Sequence, residues 1–130
     1  MYKKIYGISV NFAYFAYDEI FGYFDGIIND FNNYSKENDL NITLNRVSFT
    51  YVNTTTSTNE YSTAIEYLLR SKSTKYDIFT MDTVYSPRFS KYVADLRLYI
   101  SKELVEKYLQ GNVSKNGIFE DKLVVLQLNK

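Results

Sequence analysis

A chain of 130 residues with fifteen basic and fifteen acidic side chains carries no formal net charge, so nothing in its balance favours nucleic acid or an anionic membrane surface. It has no His and no Cys, which excludes the common zinc sites and the His- or Cys-based catalytic sets. The length fits one domain with a real core, and the distinctive bias is fourteen Tyr and nine Phe without a Trp.

The chain opens with Lys3 and Lys4 but lacks the apolar stretch of about 7–15 residues that a signal peptide would place next. Instead Ile8, Val10 and Phe12 alternate with Ser9, Asn11 and Ala13, the period of a half-buried first strand. Residues 14–17 read as a loop. Ile20, Phe21, Phe24, Ile27, Ile28, Phe31 and Tyr34 then hold one helical stripe, with Asp18 placed to cap its start. Gly22 and Gly26 each weaken that helix by up to about 1 kcal/mol relative to Ala, and a close helix–sheet approach is one reason to keep them.

A second strand carries Ile42 and Leu44, then Val47, Phe49 and Tyr51. The alternation slips by one at Asn45 and Arg46, which suggests a bulge or a late start. After a polar loop, Tyr61, Ala64, Ile65, Leu68 and Leu69 mark a second helix. Residues 78–81 form a short apolar run without alternation, as in a strand buried on both faces. Asp82 follows it, Ser86 and Pro87 read as a helix start, and Phe89, Tyr92, Val93 and Leu96 continue that helix. Ser101 caps a further helix through Leu104, Val105, Tyr108 and Leu109, which stops before Gly111. Ile118 and Phe119, a polar turn at residues 120–122, and residues 123–128 read as two strands. The order predicts an α/β fold, a mostly parallel sheet with helices on both faces. Asp82 and Tyr85 then stand where a strand passes into a helix, the edge at which ligands bind in open α/β sheets.

Four segments in order resemble one family: Tyr76-Asp77-Ile78-Phe79-Thr80-Met81-Asp82, Asp95-Leu96, Tyr99-Ile100, and Gly117-Ile118-Phe119-Glu120-Asp121-Lys122-Leu123-Val124-Val125-Leu126. The family is the maltose-binding-protein-like family 1 extracellular solute-binding proteins. The likeness covers nearly all of this chain but only about the first third of such a protein, so it implies one lobe of a periplasmic-binding-protein-like fold without its second. Glu120-Asp121 stands where the family has a Gly before the Lys, and Gln127 where it has Pro. Residues 78–81 are expected as an interior parallel strand; an antiparallel sheet, or an edge position for them, would overturn the fold reading and the family resemblance with it.

By this resemblance the chain is a non-enzymatic, cofactor-free binding lobe, extracellular or at the cell surface. It would take a carbohydrate, either for delivery to a membrane transporter or for sensing within a larger receptor chain. Aromatic rings suit the C–H faces of sugars and directed polar groups suit their hydroxyls. Carried over by position, the ligand-binding candidates are Tyr14, Tyr17 and Asp18 after the first strand, and Asp82, Thr83 and Tyr85 after the third. Each has a plainer reading beside it: a Tyr in so aromatic a chain packs, and Asp18 caps a helix. The same 76–87 stretch also resembles the acceptor strand and loop of a bacterial receiver domain, which would be phosphorylated on Asp82. That alternative needs an acidic pair after the first strand, where Asn11, Phe12, Ala13 and Tyr14 stand.

Overall fold

The computed structural model describes residues 6–16, 21–50, 58–110 and 117–126. The chain divides into two compact units, Met1–Thr80 and Met81–Lys130, where the sequence reading treats it as one lobe. Among the described residues no helix is long and apolar enough to cross a membrane.

The N-terminal unit runs β1 (Ile8–Phe15), α1 (Phe21–Glu37), β2 (Ile42–Phe49), α2 (Thr58–Arg70) and β3 (Ile78–Phe79). Its sheet has the order β2-β1-β3, parallel throughout. Phe12 and Tyr14 of β1 meet Phe24 of α1, with ring centroids 5.9 and 4.9 Å apart. Phe15 meets Tyr61 of α2 at 5.8 Å. Successive strand residues point to opposite faces, so α1 and α2 cover opposite sides of the sheet and the α/β class is as read.

The strand buried on both faces is β1, not residues 78–81. Phe12, Ala13, Tyr14, Phe15 and Ala16 are buried in succession, and the expected loop at Tyr14 is strand. β3 is only two residues long and lies at a sheet edge among the described residues, with Ile78 50% exposed. This corrects the expectation of an interior third strand and removes one support of the family resemblance. Apolar content alone misplaced the centre, because a central strand can bury a Tyr when a partner takes its hydroxyl.

No bulge interrupts β2, which pairs with β1 residue for residue from Ile8↔Ile42 to Phe15↔Phe49. The slip in its alternation has another cause. Ile42 and Leu44 share the face of Phe12 and Tyr14, beneath α1, whereas Phe49 lies on the α2 face, 5.2 Å from the Tyr61 ring. Hydrophobicity therefore changes sides along the strand. Where it leaves the α1 face, Arg46 pairs with Asp25 at 3.2 Å and donates to Asn29. Where it has not yet reached the α2 face, Asn45 donates to Ser9 and Asn11.

The outer edge of β2 is met by side chains of α1. Asn32 donates from Nδ2 to the Leu44 carbonyl (3.0 Å) and accepts from the Leu44 amide (2.8 Å). Ser35 Oγ donates to the Ile42 carbonyl (2.6 Å) and accepts from the Ile42 amide (3.1 Å). Each side chain stands in for a neighbouring strand, satisfying groups that an edge would otherwise expose. This also corrects the stripe read for α1: Ser35 is buried, while Tyr34, expected on the stripe, is exposed.

Both long helices end in the same way. The Leu40 amide donates to Ser35 and the Asp39 amide to Lys36. Likewise, the Ser73 amide donates to Leu68 and the Lys72 amide to Leu69. These are paired Schellman bonds around a left-handed residue, Asp39 at φ 52° and Lys72 at φ 53°.

The C-terminal unit carries a 3-10 turn over Thr83–Tyr85, α3 (Ser86–Phe89), a second 3-10 turn over Leu96–Leu98, α4 (Lys102–Leu109), and the antiparallel pair β4 (Ile118–Phe119) and β5 (Lys122–Leu123). Ser101 caps α4 as expected, accepting from the Leu104 amide at 3.2 Å. The helix expected to reach Leu96 is instead a single turn. Its next carbonyls are engaged elsewhere, Phe89 by the Tyr92 amide and Ser90 by Lys122 Nζ. β5 is also shorter than read, because residues 124–126 are not strand. Gly111, the expected stop of α4, and residues 127–128 lie outside the described residues.

Two substitutions in α1 should move stability in opposite directions. Asn32→Ala strips both backbone groups of Leu44 of their partner and should cost about 1–3 kcal/mol. Gly26→Ala should gain up to about 1 kcal/mol, because a Cβ there meets nothing within 4 Å; this replaces the close-approach reading of that glycine. Urea unfolding at neutral pH measures both.

Candidate functional site

Asp82 stands directly after the segment that carries β3 and has extended backbone (φ −74°, ψ 137°). Its Oδ1 accepts from the Val84 amide at 3.1 Å and so opens the Thr83–Tyr85 turn. A short acceptor side chain at this position is what an N-terminus with unpaired amides selects. Ser86, expected as the cap of α3, does not hold that position, which falls to Tyr85. Ser86 is itself the first residue of α3, and it is buried.

Within the C-terminal unit an open depression of about 420 Å³ is lined by Asp82, Thr83, Val84, Ser86, Pro87, Ile118 and Phe119. Asp82 and Thr83 are two of the sequence-derived candidates. Tyr85, the third from this loop, is not in the lining: its ring stacks on Phe89 at 6.0 Å and 20°, with the Arg88 guanidinium over both rings. Tyr14 lies in β1, 2% exposed, and its hydroxyl donates to Asp25 at 2.9 Å. Burial, then the Asp25 carboxylate, push its phenol up to about 12. Tyr17 and Asp18 lie outside the described residues. A second depression, about 510 Å³, runs along Thr63, Glu66, Tyr67, Arg70 and Ser71 of and just beyond α2, and it contains no candidate residue.

Ile118 and Phe119 were legible as a strand but not as a wall of a site. Their hairpin is fixed at three points. The Gly117 carbonyl accepts from the amides of Val124 (2.8 Å) and Val125 (3.3 Å), and a Cβ on Gly117 would run into the Val125 carbonyl oxygen. Only glycine fits that approach. Glu120 and Asp121 are both left-handed, at φ 47° and 61°, as a two-residue hairpin loop demands. Third, Asp95 holds the hairpin to the 3-10 turn. It takes the Arg97 amide and Nε and the Leu123 amide on Oδ1 (3.1, 3.0 and 3.3 Å), with Arg97 Nη2 on Oδ2 at 2.7 Å. Arg97 passes on to the Asp121 carbonyl. The Arg97 guanidinium, with the two backbone amides, holds the Asp95 carboxyl down at about 2.

No family model matches this chain, and no curated protein does. Among the described residues, no three His, Cys, Asp or Glu side chains gather as a metal site would require. The depression presents a carboxylate and two hydroxyls beside apolar surface.

The Asp95 clasp sets a pH dependence. Its folded carboxyl lies at about 2 against an ordinary value of 3.8. The stability it contributes is thus complete above the unfolded value and lost as pH falls through the folded one. Unfolding of the wild type and of Asp95→Asn, followed by urea titration from pH 6 to pH 2, should show the wild type more stable at pH 6. That gap should close between about pH 4 and pH 2.

Proposed function

We propose that this chain is a non-enzymatic solute-binding lobe of the extracellular solute-binding kind. It takes a carbohydrate in the depression between the Asp82–Pro87 segment and β4, for transport or for sensing. The observation that carries this reading is the composition of the lining. Val84, Pro87, Ile118 and Phe119 offer apolar surface beside the polar groups of Asp82, Thr83 and Ser86. A sugar ring presents the matching pair of surfaces, C–H faces for the former and hydroxyls for the latter. The resemblance of the 95–100 and 117–126 segments to family 1 solute-binding proteins supports the same reading; the 76–82 segment, at a sheet edge among the described residues, no longer does.

The depression is open, and an open site leaves much of a ligand in water while the cost of association is still borne. Binding by residues 1–130 should therefore be weak, about 1 mM, corresponding to roughly −4 kcal/mol. Titration of the isotope-labelled chain with malto- and cello-oligosaccharides should shift the amides of Asp82, Thr83, Val84, Ser86, Ile118 and Phe119 and saturate in the millimolar range. No shift at these amides, or shifts confined to the N-terminal unit, would overturn the reading.

A further inference from the structure

The lining of the depression is one-sided in charge. Among the described residues that form it, Asp82 is the one charged side chain. It is exposed, and one of its oxygens is committed to the Val84 amide. The described cations near the lining make contacts outside it, Lys91 over the Tyr92 ring among them. Arg88 lies over the rings of Tyr85 and Phe89. Arg97 is held by Asp95 and the Asp121 carbonyl. Lys122, opposite Phe119 in the hairpin, donates to the Ser90 carbonyl at 3.4 Å.

Among the described residues of the lining no basic side chain stands beside this carboxylate, which repels anionic ligands and attracts cationic ones. Apolar surface from Phe119, Ile118 and Pro87 adjoins it. We infer that the depression selects sugars by charge, and that its preferred ligand is an amino sugar whose protonated amine pairs with Asp82, with neutral sugars weaker and uronates weakest. This rests on the carbohydrate reading above and narrows it to a substrate class.

The pair would be solvent-exposed, where such contacts are modest and fall with salt. The amino-sugar preference should therefore be about two- to fivefold at low ionic strength. The experiment compares a chitosan tetrasaccharide, cellotetraose and tetragalacturonate on the labelled full chain at pH 6. Amide shifts are followed for the wild type and for Asp82→Asn, at low and at raised salt. Asn caps as well as Asp does, so the variant keeps the turn while removing the charge. The expected result is tightest binding of the amino sugar and weakest of the uronate, all at the depression's amides. That order should flatten in about 0.5 M salt and vanish in Asp82→Asn. Equal affinity for the amino and neutral sugars at those amides would overturn the charge selection and leave the carbohydrate site standing. An order that persists in Asp82→Asn would overturn the role of Asp82. Failure of every sugar to move those amides would overturn both readings.

Discussion

The N-terminal unit depends on β1 being paired along both edges. Toward β2 its ladder runs from the Ile8 amide on Asn41 to the Ala16 amide on Phe49. Toward β3, Asn11 and Ala13 accept from the amides of Asp77 and Thr80, and Asp77 adds its own carboxylate to the Asn11 amide. A strand so enclosed must dispose of every polar atom it carries inward. Tyr14 can be buried because Asp25 receives its hydroxyl, and α1 is thereby tied to the sheet. On the other face Tyr61 reaches past the rings of Phe15 and Phe49 to donate to the Thr80 carbonyl at 2.8 Å, and burial raises its pKa. One aromatic hydroxyl from each face thus ends on a partner that locks an element in place.

Period and punctuation in the sequence revealed most of the elements. The stripes of α1 and α2, the Ser101 cap and the existence of three parallel strands are local properties, and local rules find them. What escaped depends on contacts far apart in sequence. The central place of β1 comes from its two partners, and the buried Tyr14 disguised it as a strand with a loop behind it. The alternation of β2 was read correctly as broken, yet the reason lay in two helices covering different halves of its two faces. The third strand was over-read because an apolar run looks the same at an edge as in the interior. Asn32 and Ser35 gave no signal at all, since a polar residue on a helix usually means solvent.

In the C-terminal unit the outcome for the site was mixed. Asp82 and Thr83, read as candidates because a carboxylate and a hydroxyl after a strand are locally visible, line the depression. Ile118 and Phe119 were missed as lining because only the hairpin's packing brings them to the same depression. The hairpin in turn owes its position to Asp95, a residue noticed only as part of a resemblance. Its signal was nonetheless present: an Asp followed two residues later by Arg, ahead of a short turn, is a side chain able to cap and pair at once.

The side-chain bonds from α1 to the edge of β2 also fix a length. Asn32 and Ser35 meet Leu44 and Ile42 in reverse order, while the left-handed Asp39 and Asn41 turn the chain between them. Each added or lost helical residue rotates the chain beyond it by about 100°. An insertion or deletion within helical residues 36–37 would therefore displace Ile42 and Leu44 together from Ser35 and Asn32. Residues 32–44 form a closed ring of covalent and hydrogen bonds whose size is set. The connection behaves as a gauge between helix and strand, and length variation in related chains should fall outside it.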